Sequence, residues 1–162
     1  MRALALLLLV AAPAAAQDFS YDPALLTNCL QANADKPDRC IGTAARACME
    51  GEGGSTTVGT VSCLAGENAQ WDSILNQAYE AVLADAEQGD AEMKKLGSAA
   101  DPQTPALREM QRAWIAFRDA ACVYEASRWG GGSGAGPAAT ACAMELTARQ
   151  ALRLKAYADQ KY

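Results

Sequence analysis

The chain has 162 residues, 51% of them hydrophobic and 20% charged, with a net charge of −5 and no histidine. That length suits one domain with a real core. An acidic balance without a basic patch argues against nucleic acid and anionic lipid as partners and favours a basic partner, or solubility alone. The missing histidine excludes Ser-His and Cys-His catalysis.

In chain order, residues 1–16 are expected to be a signal peptide rather than part of the fold. Arg2 supplies a positive start, Ala3 to Ala12 an apolar run too short to span a bilayer, and Ala14-Ala15-Ala16 a cleavage signal. The mature chain then begins at Gln17, and loss of Arg2 takes its charge from −5 to −6. No cysteine follows the cleavage point, so no lipid anchor is expected there. No later apolar run is long enough to span a membrane, so stable membrane insertion is not expected. The predicted location is the periplasm or the exterior.

Six cysteines follow: Cys29, Cys40, Cys48, Cys63, Cys122 and Cys142. An even count in an oxidising compartment predicts disulfides. The absence of a Cys-x-x-Cys pair and of histidine argues against structural zinc and thioredoxin-like chemistry. Cys122 and Cys142 flank a glycine-rich turn near the ends of two predicted helices and are the easiest pair to assign. Cys29–Cys40 and Cys48–Cys63 are the favoured pairs among the other four.

Residues 17–50 read as a small helical N-terminal extension. Pro23 to Ala34 forms its first helix and Arg39 to Met49 its second, capped by Asp38. Gly51 to Thr60 reads as a loop leading to the main body over residues 51–162. A long helix is predicted from about Ser62, with Trp71, Ile74, Leu75, Ala78, Val82 and Ala86 as its apolar stripe. Gly89-Asp90 is a weak point, and Gly97 to Thr104 ends the helix.

The central helix is predicted over Pro105 to Trp129, with Thr104 as its N-cap. Leu107, Met110, Trp114, Phe117, Ala121 and Tyr124 step by three and four and so share one face. Arg118 flanks that stripe, and its guanidinium needs a partner. After Gly130–Pro137, a last helix runs from Ala138 to Gln160. Strand signals are weak throughout. The expected fold is all-α: an antiparallel three-helix core with a small disulfide-linked helical N-terminal extension.

Cys63, Glu67, Trp71-Asp72, Leu75-Asn76 and Tyr79 resemble the first half of the LprI-type lysozyme inhibitor-like family. Gln111-Arg-Ala-Trp-Ile-Ala-Phe-Arg-Asp-Ala-Ala-Cys122 resembles its second half, and Cys142, Leu146-Thr147 and Arg149 its C-terminal part. The resemblance covers roughly residues 48–157; residues 17–47, with two of the cysteines, depart from the shorter family pattern. It implies binding and inhibition of lysozyme in the cell envelope.

The motifs have both bland and sharp meanings. Trp71, Trp114, Phe117 and Tyr79 are expected to be core rather than a ligand-stacking surface. Asp72, Asn76, Arg112 and Arg118 either line a binding site or form a buried polar network that sets helix register. The network is preferred, with Arg118 bonded to Asp72 or Asn76. The Gly130–Pro137 segment, carrying Ser133, is either a probe loop or a tethered turn; it follows no strand and is not a phosphate loop. Paired carboxylates could hydrolyse glycosides, but acids are plentiful in any acidic helical domain, so no enzyme, catalytic residue, metal or cofactor is expected. The function expected is a secreted, periplasmic lysozyme-inhibitor-like binding protein that occludes a basic lysozyme stoichiometrically. The alternative is a non-inhibitory cell-envelope module that binds another protein or a wall fragment.

Overall fold

The computed structural model describes residues 19–160, so the leader expected at 1–16 lies outside the described residues. Five α-helices follow one another: α1 Pro23–Ala32, α2 Thr43–Met49, α3 Thr57–Lys95, α4 Gln103–Ser127 and α5 Ala135–Asp159, with a short 3-10 turn at Pro37–Cys40 before α2. No strand occurs among the described residues. The fold is all-α.

The three long helices form the body. Glu87 of α3 pairs with Arg108 of α4 at 2.9 Å, and Asp90 of α3 accepts the backbone N–H groups of Gln103 and Thr104. Gln111 of α4 meets Gln150 of α5 at 3.1 Å, and Cys122 of α4 is bonded to Cys142 of α5. In both interfaces residue numbers rise along one helix as they fall along the other, so successive helices are antiparallel. The most extensive packing is between α3 and α5. Trp71, Leu75 and Ala78 of α3 and Ala148, Ala151 and Leu154 of α5 belong to one buried cluster. The alanines let two backbones approach closely around one large ring.

The N-terminal segment joins the same cluster through Leu26, Cys40, Ala44 and Ala45. Cys29–Cys40 ties α1 to the 3-10 turn, and Cys48–Cys63 ties α2 to α3. The third disulfide, Cys122–Cys142, links α4 and α5.

Several boundaries differ from expectation, each for a local reason. The second helix does not start at Arg39 under an Asp38 cap. Gly42 adopts a left-handed φ of +81°, which ends the 3-10 turn and restarts the chain as α2 at Thr43. α3 begins at Thr57 because the Thr56 hydroxyl accepts the Gly59 N–H at 3.0 Å, and it runs through Gly89-Asp90 to Lys95. Thr104 is not the N-cap of α4; the carboxylate of Asp90 takes that role from the neighbouring helix. α5 starts at Ala135, three residues before Ala138.

The largest correction concerns the α4 stripe. Leu107 is buried and Met110 and Trp114 are packed against the core, but Phe117 is 60% exposed and Tyr124 65% exposed. Periodicity places these residues on one face; it does not say how far that face is covered. The ion pair and the Asp90 cap hold α4 to α3 near its start, whereas the disulfide holds its second half to α5.

Candidate functional site

The five residues singled out from sequence do not come together as one site. Asp72 and Asn76 lie a turn apart on α3, where the Asn76 amide donates to the Asp72 carboxylate at 3.0 Å. The expected bond from Arg118 to either of them is not made. Arg118 donates instead to its chain neighbour Asp119, at 3.0 and 2.9 Å, and its guanidinium lies over the Trp114 ring, 5.0 Å from the centroid. A carboxylate one residue away and a ring one turn back satisfy the cation locally, so it does not reach across to α3. Arg112 is paired with Glu109 on the same helix, and Ser133 is exposed in the glycine-rich turn.

The polar network that does bind helices together is centred on Glu67. Its side chain is fully buried. Oε1 accepts the Gly42 N–H at 2.5 Å and the Trp71 indole N–H at 3.0 Å, and Oε2 accepts the Ala45 N–H at 2.7 Å. Gly42 and Thr43 open α2, whose first N–H groups have no partner within that helix. A carboxylate aimed at them meets both the free donors and the positive end of the helix dipole. Glu67 therefore serves as a cap supplied from another helix, held in place by the ring four residues on. A neighbouring contact reinforces it: the Tyr21 hydroxyl donates to Gln70 at 2.6 Å, and its pKa is raised, first by burial and then by the negative charges of Glu67 and Asp22. In the sequence Glu67 is visible only as one position of the LprI-like motif. A lone glutamate on the rim of an apolar stripe was the available signal, but its partners are backbone groups that no sequence pattern displays.

A second region lies between α4 and α5. Phe117, Ala121, Glu125, Arg128 and Trp129, from α4 and the following turn, face Ala138, Ala141, Glu145 and Leu146 of α5 across an open recess of about 840 Å³. The Cys122–Cys142 bridge joins its two walls. Glu125 pairs with Arg128 at 3.0 Å and Glu145 with Arg149 at 2.8 Å.

Charge is distributed unevenly along the chain. From Phe19 to Met93 twelve acidic side chains stand against three basic ones; from Lys94 to Gln160 six stand against nine. The outer edge of α3, with Asp72, Asn76 and Glu80, belongs to the acidic part, while the α4–α5 recess belongs to the other. Among the described residues no cluster of three or more His, Cys, Asp or Glu side chains is arranged to hold a metal, and no helix is long and apolar enough to cross a membrane.

A family model described as lysozyme inhibitor LprI matches residues 48–154. The chain belongs to the lysozyme inhibitor LprI family. The LprI match runs from Cys48 to Leu154, so it takes in α3, α4, α5 except its last turn, and two of the three disulfides, Cys48–Cys63 and Cys122–Cys142. Both halves of the Glu67 cap straddle its boundary: Glu67 and Trp71 lie inside the LprI region, Gly42 and Ala45 outside it. The chain is also similar to an uncharacterized protein of Rhizobium meliloti (strain 1021), 33% identical over 84 residues, or 52% of this chain and 60% of that protein. The match thus spans less than two thirds of the relative's own length. No solved structure matches the chain.

Proposed function

We propose that this LprI-family chain is a periplasmic or secreted binding protein that inhibits a basic lysozyme by stoichiometric occlusion. Membership of the family, over residues 48–154, is the observation that carries this reading. Three disulfides fit an oxidising compartment outside the cytoplasm. The excess of acid between Phe19 and Met93 supports a basic partner: a surface of one sign attracts the opposite sign at long range and raises the association rate. In this reading the outer edge of α3, at Asp72, Asn76 and Glu80, faces lysozyme and blocks access to its catalytic carboxylates.

The test is the clearing of a cell-wall suspension by a basic lysozyme. Near-equimolar protein is expected to slow clearing, with activity titrated to an end point. Unchanged clearing at every ratio removes the inhibitor reading and leaves a helical envelope module that binds something else. Clearing by the protein alone replaces both with a hydrolase.

A further inference from the structure

We propose that the recess between α4 and α5 binds a neutral oligosaccharide, stacking its sugar rings on Trp129 and Phe117. This stands apart from the lysozyme reading, since it concerns another face and another ligand.

Phe117 is 60% and Trp129 55% exposed, and both line the same recess. Large apolar rings left in water at the mouth of a concave surface are the usual mark of a binding site rather than of scattered surface apolarity. The recess volume of about 840 Å³ falls within the roughly 300–1,000 Å³ typical of small-molecule sites.

Trp129 is also positioned rather than merely exposed. A Cβ on Gly134 would lie 2.1 Å from Cε3 and 2.2 Å from Cζ3 of its ring. The indole therefore rests directly on the backbone of Gly134, and no other residue type leaves it there. The bridge Cys122–Cys142 fixes the spacing of the two helical walls. A ring held on one side and open on the other is a ready platform, because little freedom is lost when a ligand settles on it.

The polar groups select the ligand class. Glu125 is neutralised by Arg128, and Glu145 by Arg149. Each carboxylate of the lining is thus ion-paired, Glu125 with Arg128 on the rim and Glu145 with Arg149 just beyond it, so the surface favours neither an anion nor a cation strongly. A pyranose chain presents what such a surface takes: apolar C–H faces for the rings and hydroxyls for the ion pairs, whose spare lone pairs and N–H groups are still available. Leu146, Ala138 and Ala141 supply an apolar floor.

The experiment titrates chitotetraose, an uncharged oligomer of N-acetylglucosamine, into the full-length protein, followed by tryptophan fluorescence and calorimetry. Saturable binding at millimolar concentration or tighter is expected. Trp129→Ala and Phe117→Ala should each weaken it about tenfold, a step of about 1.4 kcal/mol, while thermal unfolding shifts only slightly because both residues are more than half exposed. Gly134→Ala, which evicts the ring from its seat, should weaken it as well. Absence of saturable binding at millimolar sugar overturns the proposal, as does binding that persists unchanged in both ring variants. An acidic polysaccharide that competes as well as chitotetraose overturns the neutral-ligand assignment. No lysozyme is present, so failure here leaves the inhibitor reading intact.

Discussion

Glu67 and Gly42 are 25 residues apart in sequence, yet the Glu67 carboxylate accepts the Gly42 N–H at 2.5 Å in a fully buried setting. Together with the Ala45 N–H bond to the same carboxylate and the Cys48–Cys63 bridge, that contact ties α2 to α3. A buried carboxylate with three N–H donors is stable only while all of them remain. Glu67→Ala strands two backbone donors and an indole N–H. The loss should be at least about 3 kcal/mol, since hydrogen bonds to a charged group contribute roughly 1.5–3 kcal/mol each. Glu67→Gln, which keeps the shape and one acceptor oxygen, should lose less. Equilibrium denaturation in urea measures both; an alanine variant as stable as the parent would remove the cap from the account.

The tryptophans should rank by burial. Trp71 is fully buried at the centre of the α3–α5 interface, whereas Trp114 is only half-buried beneath Arg118. Trp71→Ala is expected to cost about 3–5 kcal/mol through lost transfer energy and a residual cavity. Trp114→Ala should cost clearly less. Thermal melts of the two variants check the order, and a reversed order would contradict the packing described above.

The pH dependence of stability has two separate limbs. Burial and two nearby carboxylates raise the Tyr21 pKa above its ordinary value of 10.0. The folded state therefore keeps its proton where the unfolded chain releases it, and this contribution is present below pH 10 and lost as pH rises further. Tyr21→Phe should flatten the alkaline limb. Asp90 behaves in the opposite sense. The Thr104 hydroxyl and the backbone N–H groups of Thr104 and Gln103 hold its pKa below the ordinary 3.8. Its contribution is present above that value and disappears as pH falls through the lowered one. Asp90→Asn should flatten the acid limb and let the start of α4 fray, which amide exchange at Gln103 and Thr104 would register.

Opening the Cys122–Cys142 bridge should loosen the recess and the molecule together. It closes a loop with a sequence separation of 20, for which chain entropy gives about 3 kcal/mol. The double variant Cys122→Ser/Cys142→Ser is expected to unfold at lower denaturant concentration. Its glycine-rich turn should exchange amides faster than that of the parent. An unchanged midpoint would mean that helix packing alone positions the two walls.

If lysozyme association is steered by charge, it should respond to salt and to the α3 edge. The Debye length falls from about 30 Å at 0.01 M to about 10 Å at 0.1 M salt, so the association rate should drop steeply over that range and the dissociation rate much less. Replacing Asp72 and Glu80 by lysine should slow association at low salt. Stopped-flow rates that ignore both salt and these charges would sink the steering argument.

Helix existence and the presence of disulfides were legible in the chain itself. Periodic apolar residues mark the long helices because one face must leave water, and the period of that face is set by backbone geometry alone. The even cysteine count predicted disulfides, and Cys122–Cys142 was readable from the turn it brackets; among Cys29, Cys40, Cys48 and Cys63 three pairings fit the spacing, and the fold selected Cys29–Cys40 and Cys48–Cys63. The tertiary structure decided what sequence spacing does not encode. Phe117 and Tyr124 share the α4 stripe with Leu107, yet only the placement of α5 determines which part of that stripe is covered. Arg118 found Asp119 and Trp114 within its own helix, a shorter reach than Asp72, and so left α3 free. Glu67 and Asp90 each cap a helix other than their own, through backbone N–H groups that every residue except proline possesses. Nothing in the identity of Gly42, Ala45, Gln103 or Thr104 announces such a partner, because the donor is the same at each position and only proximity in the fold selects it.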